Sequence, residues 1–379
     1  MAESNALVIG GGIAGLTAAL ELARFGVQVD VVERELVPGG HVAKLACKAT
    51  DACVKCGACL IAEAIERVST HPFIRLHTAC RVETIQKAQR FGYTLEAAGQ
   101  ATDGQADVVV FATGFQTFDP SRKPYGYGIF PNMITNLELE GMLRREGRMA
   151  RPSDGLDPRR LAFIQCVGSR DAKLRHLWCS TYCCGAALRA ARLVKARRPQ
   201  TEITVFYIDI QNFGRDFEPV YRQTQHDIRF IRTIPGEAFP IADAGLRLAY
   251  VEDSSRDARE EAFDLVVLSV GMMPASESDR MAGALGLALA PSGFVSHAAQ
   301  GHAEGVFAAG TARGPMSIAD AVADARHAAW QALRFLGQTG VSLERTAVGG
   351  RPLCRSFLLG GLERDDGPAI VNQHHQGLE

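Results

Sequence analysis

No apolar stretch of the chain approaches the ~20 residues that a membrane-spanning helix needs, so no membrane association is expected. There is no excess of positive charge. The 41 Lys and Arg stand against 42 Asp and Glu, a net charge of -1, which excludes the electrostatic footprint of nucleic-acid binding. The five residues from Met1 to Asn5 carry no basic segment of the kind that opens a secretory signal, so a cytoplasmic location is expected. Low-complexity tracts and long charge blocks are missing, and a content of 47% hydrophobic residues excludes disorder as the main theme. No Ser-His-Asp order and no paired carboxylates have the context that hydrolysis requires. What is there is a chain of 379 residues, enough for two or three domains at roughly 100–200 residues each. It carries ten cysteines, which in a reducing compartment are not expected to form stable disulfides.

Residues 6–9 (ALVI) read as a buried parallel strand. The turn Gly10-Gly11-Gly12-Ile13-Ala14-Gly15 follows. Residues 16–25 read as a helix that Gly26 stops, and residues 27–32 as a second strand ending at Glu33. In such a unit Gly10 permits the tight turn, Gly12 lets backbone approach a pyrophosphate, and Gly15 lets helix pack on strand. The phosphates sit on the helix N-terminus, and Glu33 accepts from ribose hydroxyls. This predicts a dinucleotide site without separating NAD from FAD.

The start of the chain has a partial echo. Residues 107–114 (DVVVFATG) resemble residues 264–271 (DLVVLSVG), and residues 161–164 (LAFI) resemble residues 6–9. Two tandem Rossmann-like units follow from this self-similarity, hence an α/β fold. A late strand at residues 305–310 is expected to return to the first unit. The expected division is a discontinuous first domain (1–119 and 290–340), a Pro-, Gly- and charge-rich linker (120–158), an inserted domain (159–289) and a C-terminal arm (341–379). Leu378-Glu379 at the end of that arm reads as an expression scar. Gly39-Gly40-His41, Ala112-Thr113-Gly114 and the late strand together resemble two-domain flavoproteins such as thioredoxin reductase. In those proteins the first domain holds FAD and the inserted one NADPH. In this chain the inserted unit reads Gln165-Cys166-Val167-Gly168-Ser169-Arg170, without the three glycines, so no NAD(P)H site is expected there. It also has no C-x-x-C pair for a thioredoxin-reductase-type active site.

Cys166, Cys179, Cys183 and Cys184 are too closely grouped for ordinary core filling, and in a cytosolic protein they point to a metal. Zinc usually takes separated C-x2–4-C knuckles, which an adjacent pair fits poorly. A [4Fe-4S] cluster takes four thiolates at varied spacing. Four buried apolar cysteines are the plain alternative. A second candidate group is Cys47 with Cys53, Cys56 and Cys59, ahead of a predicted helix at residues 60–68. A second cluster, a partial site and simple reduced thiols all stay open for it. Cys80, on a strand-like run, is expected in the core.

Several longer stretches are more specific. They include Ala112-Thr113-Gly114-Phe115, Tyr125-Gly126-Tyr127-Gly128, residues 131–136 (PNMITN), residues 163–171 (FIQCVGSRD) and residues 179–184 (CSTYCC). Across about residues 5–337 the chain resembles the A subunit of heterodisulfide reductase. The resemblance implies a cytoplasmic homodimeric flavoprotein with FAD in a thioredoxin-reductase-like core. It implies a [4Fe-4S] cluster on Cys166, Cys179, Cys183 and Cys184. The FAD contacts it implies are Gly10, Gly12, Ile13, Ala14, Gly15, Glu33, Arg34, Gly40, His41, Val82, Ala112, Thr113, Gly114, Gly310, Thr311, Ile318, Ala319 and Ala321. Residues 317–320 (SIAD) start a capped helix running to about residue 336, whose N-terminus is expected at flavin N1 and O2.

Two departures from the methanogen members matter. The ferredoxin runs are missing and the tail holds only Cys354. This short form resembles the A-like subunit of the heterodisulfide-reductase-like complexes of sulfur oxidisers, which work with B- and C-like iron–sulfur subunits and a lipoate-binding protein. Met316 stands where the methanogen members carry a lysine, which predicts ordinary electron transfer rather than bifurcation. The expected function is therefore that of an FAD and iron–sulfur electron-transfer subunit in oxidative sulfur metabolism. A stand-alone NAD(P)H-dependent flavin disulfide reductase and a redox scaffold or sensor are the alternatives.

Overall fold

β1 (Asn5–Ile9) is buried at all but its first residue, as a strand covered on both faces must be. In the computed structural model it leads through Gly10–Gly12 into α1 (Ile13–Ala23). The structure describes residues 4–50, 53–211, 217–253, 255–276, 278–296 and 305–337. The C-terminal arm, with Cys354, His374, His375 and the last two residues, lies outside the described residues. Gly10 takes φ 112°, and a Cβ there would stand 2.2 Å from the Ala112 carbonyl oxygen. A Cβ on Gly15 would stand 1.8 Å from the Gly10 carbonyl oxygen. Only glycine lets this helix lie against this turn.

The chain continues through β2 (Gln28–Val32), α2 (Leu60–Ser69) and β3 (Ile74–His77). A meander follows, β4 (Cys80–Lys87), β5 (Phe91–Ala97) and β6 (Gln100–Ala106). Then come β7 (Val108–Phe111), β8 (Phe115–Thr117), β9 (Met133–Thr135), α3 (Asn136–Arg145) and β10 (Arg160–Val167). Beyond them lie α4 (Cys183–Arg197), β11 (Glu202–Phe206), α5 (Phe217–Asp227) and β12 (Arg229–Ile231). A second meander is formed by β13 (Glu237–Pro240), β14 (Leu246–Val251) and β15 (Ala258–Phe263). The last elements are β16 (Leu265–Val270), β17 (Met272–Pro274), α6 (Ser278–Ala284), β18 (Val306–Ala308) and α7 (Ile318–Phe335).

Two five-stranded parallel sheets result, ordered β18-β7-β1-β2-β3 and β12-β11-β10-β16-β9. The internal similarity of the sequence is realised strand for strand: β1 corresponds to β10, β2 to β11, β7 to β16. Each unit also carries its own three-stranded antiparallel meander. β8 and β17 pair antiparallel and carry the chain between the two units. α1 packs on α7 through small residues, with Ala325, Ala329 and Ala332 fully buried.

Two boundaries differ from the sequence reading. The stretch 120–158 is more than a linker. Its β9 pairs with β16 at the edge of the second sheet, and its α3 opens with a capping box. There the Thr135 hydroxyl accepts from Glu138 N at 3.2 Å, and Glu138 accepts from Thr135 N at 2.7 Å. Proline and charge mask this T-x-x-E signal. Met281, Ala282, Leu285 and Leu287 pack with Leu7 and Ile9, so the return to the first unit comes before residue 290.

Asp30 on β2 ties three strands together. It accepts from Arg75 Nε at 2.9 Å, from His77 Nε2 at 2.8 Å and from the Tyr93 hydroxyl at 2.9 Å. Burial, the largest single influence, pushes its carboxyl up. The hydrogen bonds from His77, Arg75 and Tyr93 together outweigh it and hold the group below the usual carboxylate range. A depressed folded pKa contributes stability above the unfolded value near 3.8 and loses it as pH falls through the folded value. Asp30→Asn is expected to cost about 2 kcal/mol at neutral pH, since hydrogen bonds to a charged acceptor are lost. In urea unfolding, the gap to wild type should close below pH 3.8.

Candidate functional site

The carboxyl ends of the first parallel sheet open on a cleft of about 1370 Å³, solvent at its mouth included. Gly10, Gly12, Ile13 and Ala14 line it from the β1–α1 turn, and Glu33 and Arg34 from the end of β2. Gly40 and His41 add the next loop, Ala112, Thr113 and Gly114 the end of β7, and Thr311, Ile318 and Ala321 the approach to α7. Four expected contacts do not line it. Gly15 serves helix packing, Val82 is buried on β4, and Ala319 is exposed on α7. Gly310 packs against Ala14 and donates its N–H to Asp324 at 2.7 Å.

This cleft fits a dinucleotide. A side chain at Gly12 would meet nothing within 4 Å, so backbone there faces open space. No side chain caps α1, which leaves its first-turn N–H groups for an anion. Glu33 is 7% exposed and accepts from Gly11 N at 2.8 Å and Glu35 N at 2.9 Å. Each carboxylate oxygen keeps a lone pair for a ribose hydroxyl. His41 stacks on Phe115, ring centroids 4.2 Å apart. Its Nε2 lies 2.9 Å from the Phe115 carbonyl, which can only accept, so Nε2 carries the proton. Its Nδ1 is buried without a partner, and burial holds the ring below the usual histidine range.

The same cleft is lined on its far side by Asn136, Glu140, Tyr182, Cys183, Val270 and Met272 of the second unit. Cys183 opens α4, its sulfur 3.7 Å from the Val270 carbonyl. Cys184 is buried, its sulfur 3.9 Å from the Asp209 carbonyl. Burial, then neighbouring Cys184, pushes the Cys166 thiol up to about 12, and burial raises Cys183 and Cys184 as well. Cys179 acts on all three, so the four sulfurs are neighbours. Among the described residues no three His, Cys, Asp or Glu side chains converge on a single ion. A lone zinc would draw its sulfurs to about 2.3 Å, whereas a four-iron cluster is a larger body with more widely set thiolates.

The surroundings fit a polar guest. Gln165 and Ser269 follow the paired Ile164 and Leu268 on neighbouring strands, both buried and both without a hydrogen-bond partner. Orphaned groups of this kind mark a place where something polar is to be met. Cys166, Arg170, Arg175 and Thr181 all take left-handed φ of 51–59°. Such backbone costs of order 1–3 kcal/mol per residue and gathers at functional sites.

The second cysteine group is also brought together. The Cys59 thiol is raised by burial and by the neighbouring Cys56, Cys53 and Cys47. A Cβ on Gly57 would stand 3.0 Å from Ile318 Cγ2, so this loop lies on the first turn of α7 at the cleft. Cys80 is buried at the start of β4.

Comparison with known proteins agrees with this geometry. Residues 4–144 match the pyridine nucleotide-disulphide oxidoreductase family. An iron-sulfur A subunit of the CoB–CoM heterodisulfide reductase of Methanopyrus kandleri is 30% identical over 90% of this chain and 65% of its own. Its Methanocaldococcus jannaschii counterpart is 32% identical over 86% of this chain and 63% of its own. The chain is a homologue of the heterodisulfide reductase A subunit. It spans just under two thirds of the length of these relatives. Lactococcus lactis thioredoxin reductase shares the fold, with a TM-score of 0.61 at 19% identity over 89% of this chain and all of the other. Thioredoxin reductase of T. acidophilum does so with a TM-score of 0.58 at 18% identity over 88% of this chain and 99% of the other.

Within this A-type homologue of heterodisulfide reductase, Lys48, Glu140 and Tyr182 are site residues that the sequence reading missed. Glu140 sits on α3, inside the stretch read as a linker. Its carboxylate is 2.6 Å from Lys48 Nζ and accepts from Ala46 N at 2.9 Å. The two side chains are 0% and 5% exposed. This pair fastens the loop that carries Cys47, within the second cysteine group, to the second unit. Lys48→Met should cost about 3–5 kcal/mol, because it strands a buried carboxylate. Adding Glu140→Leu should return most of that in urea unfolding. The Tyr182 hydroxyl is raised by burial and feels Glu140, Cys56 and Cys183, which places it between the two cysteine groups.

Proposed function

We propose that the chain is the FAD- and [4Fe-4S]-containing electron-transfer subunit of a cytoplasmic heterodisulfide-reductase-like complex in oxidative sulfur metabolism. The observation that carries this reading is one continuous cleft lined by both the dinucleotide turn and Cys183. Gly12 and the α1 N-terminus would hold the pyrophosphate, Glu33 the ribose, and His41 and Ile318 the ring. Cys166, Cys179, Cys183 and Cys184 would hold the cluster. When bound, FAD supplies two-electron chemistry and the cluster one-electron chemistry. The protein's part is to fix the two sites against each other, through the Lys48–Glu140 pair and α4, and to keep water from the buried sulfurs. The relatives are named as A subunits, which supports partner subunits; we take these to be B- and C-like iron–sulfur proteins and the chain itself to be a homodimer.

A stand-alone NAD(P)H reductase is disfavoured by the second unit. Gly168, in the turn after β10, takes φ 81°, and a Cβ there would stand 2.0 Å from the Phe118 ring. That space is filled by protein, unlike the space at Gly12. Rapid mixing of the purified flavoprotein with NADH or NADPH should leave the flavin absorbance unchanged. Bleaching within seconds would favour the reductase instead.

A further inference from the structure

We propose that Arg170 is an electrostatic tuning residue of the Cys166 site, setting how readily the centre held there accepts an electron. The inference rests on the reading of those four cysteines as cluster ligands.

It starts from the correspondence between the two units. Glu33 follows β2 and lines the dinucleotide cleft. Asp209 follows β11, the counterpart strand, but it is not left for a ribose. Arg170 grips it with both guanidinium ends, Nη1 on Oδ1 and Nη2 on Oδ2, the latter at 3.0 Å. Gln211 Nε2 adds a third bond at 3.1 Å. The acid that would select a nucleotide in such a unit thus anchors an arginine.

The arginine is aimed. Its backbone is left-handed, φ 54°, and its N–H donates to the Trp178 carbonyl at 3.0 Å. Two residues from Trp178 along the same loop, His176 Nδ1 lies 2.8 Å from the Gly168 carbonyl. From this held position the guanidinium lies beside the cysteine set: Asp209, which it grips, has its carbonyl 3.9 Å from the Cys184 sulfur, and the charge of Arg170 lowers the Cys166 and Cys184 thiols against the rise that burial gives them. Asp209 thus holds the positive fork next to the cysteine set.

A cluster on four thiolates carries net negative charge, and reduction adds one more. A nearby cation stabilises the reduced form, and hydrogen bonds to ligand sulfur act in the same direction. Removing the charge at Arg170 should therefore disfavour one-electron reduction about tenfold. For a one-electron couple that is a midpoint about 59 mV more negative. Asp209→Asn should act in the opposite sense, because it leaves the guanidinium uncompensated. Arg170→Lys should recover part of the loss, with charge restored and the fork missing.

The test is an EPR-monitored redox titration of the purified flavoprotein, with iron counted per chain. The expected result is a more negative midpoint in Arg170→Gln, a less negative one in Asp209→Asn, and an intermediate value in Arg170→Lys. If Arg170→Gln does not fold, the upward shift in Asp209→Asn carries the test. Iron-loaded variants with the wild-type midpoint would overturn the role of Arg170 and leave the cluster standing. Wild-type protein that binds no iron when reconstituted would overturn the ligand reading itself.

Discussion

Gly12→Val gives a folded protein that holds no FAD. The substitution is well tolerated by the chain alone. Gly12 has φ -77° and ψ -179°, extended backbone that valine favours, and a Cβ there meets nothing within 4 Å. The expected cost to folding is about 1 kcal/mol, since valine is a poorer N-cap than glycine. The cost to binding is larger. The side chain fills the open space over the first turn of α1, where the pyrophosphate would meet free N–H groups. Losing two hydrogen bonds to a charged phosphate, at about 1.5–3 kcal/mol each, weakens binding at least a hundredfold. The purified variant should be colourless in the flavin band with an unchanged far-ultraviolet CD spectrum. Gly10→Ala is the contrast: its Cβ would strike the Ala112 carbonyl oxygen, so it should fail to fold. Full flavin occupancy in Gly12→Val would sink the assignment of the cleft.

Cys183→Ala is expected to lower iron from about four per chain to under about one, with FAD retained. Cys183 opens α4 at the far wall of the cleft, and alanine removes one sulfur without adding bulk. The Cys166 thiol beside it, pushed up to about 12 by burial, is protonated at neutral pH in the empty protein. Cluster assembly must therefore release protons, and three remaining ligands leave one iron open to water. Cys80→Ala is the matched control, because Cys80 is buried in the core around β4 and should leave iron unchanged. Iron that persisted in Cys183→Ala and disappeared when Cys53, Cys56 and Cys59 were replaced by alanine would move the centre to the other group.

Much of this site is legible in the amino-acid sequence alone. The turn from Gly10 to Gly15 can be read because each glycine answers a local steric demand, and neighbours along the chain make that demand. The strand pattern is readable for a similar reason. Buried parallel strands are continuous apolar runs, and two copies of such a run announce two copies of the unit. The capping box at Thr135 is equally local, but the proline and charge around it give the stretch the look of a linker.

What the sequence could not disclose is who faces whom. Glu140 meets Lys48 from a distant part of the chain, and Arg170 meets Asp209 through a loop that no periodicity describes. The β8–β17 ribbon decides that Cys183 of one unit closes the cleft of the other. Local sequence determined the two dinucleotide-type units and the residue types that carry their chemistry, because backbone sterics and burial act over a few residues. Tertiary structure alone decided that these sites share one cleft, because Coulomb attraction and packing act through space between residues the chain keeps far apart.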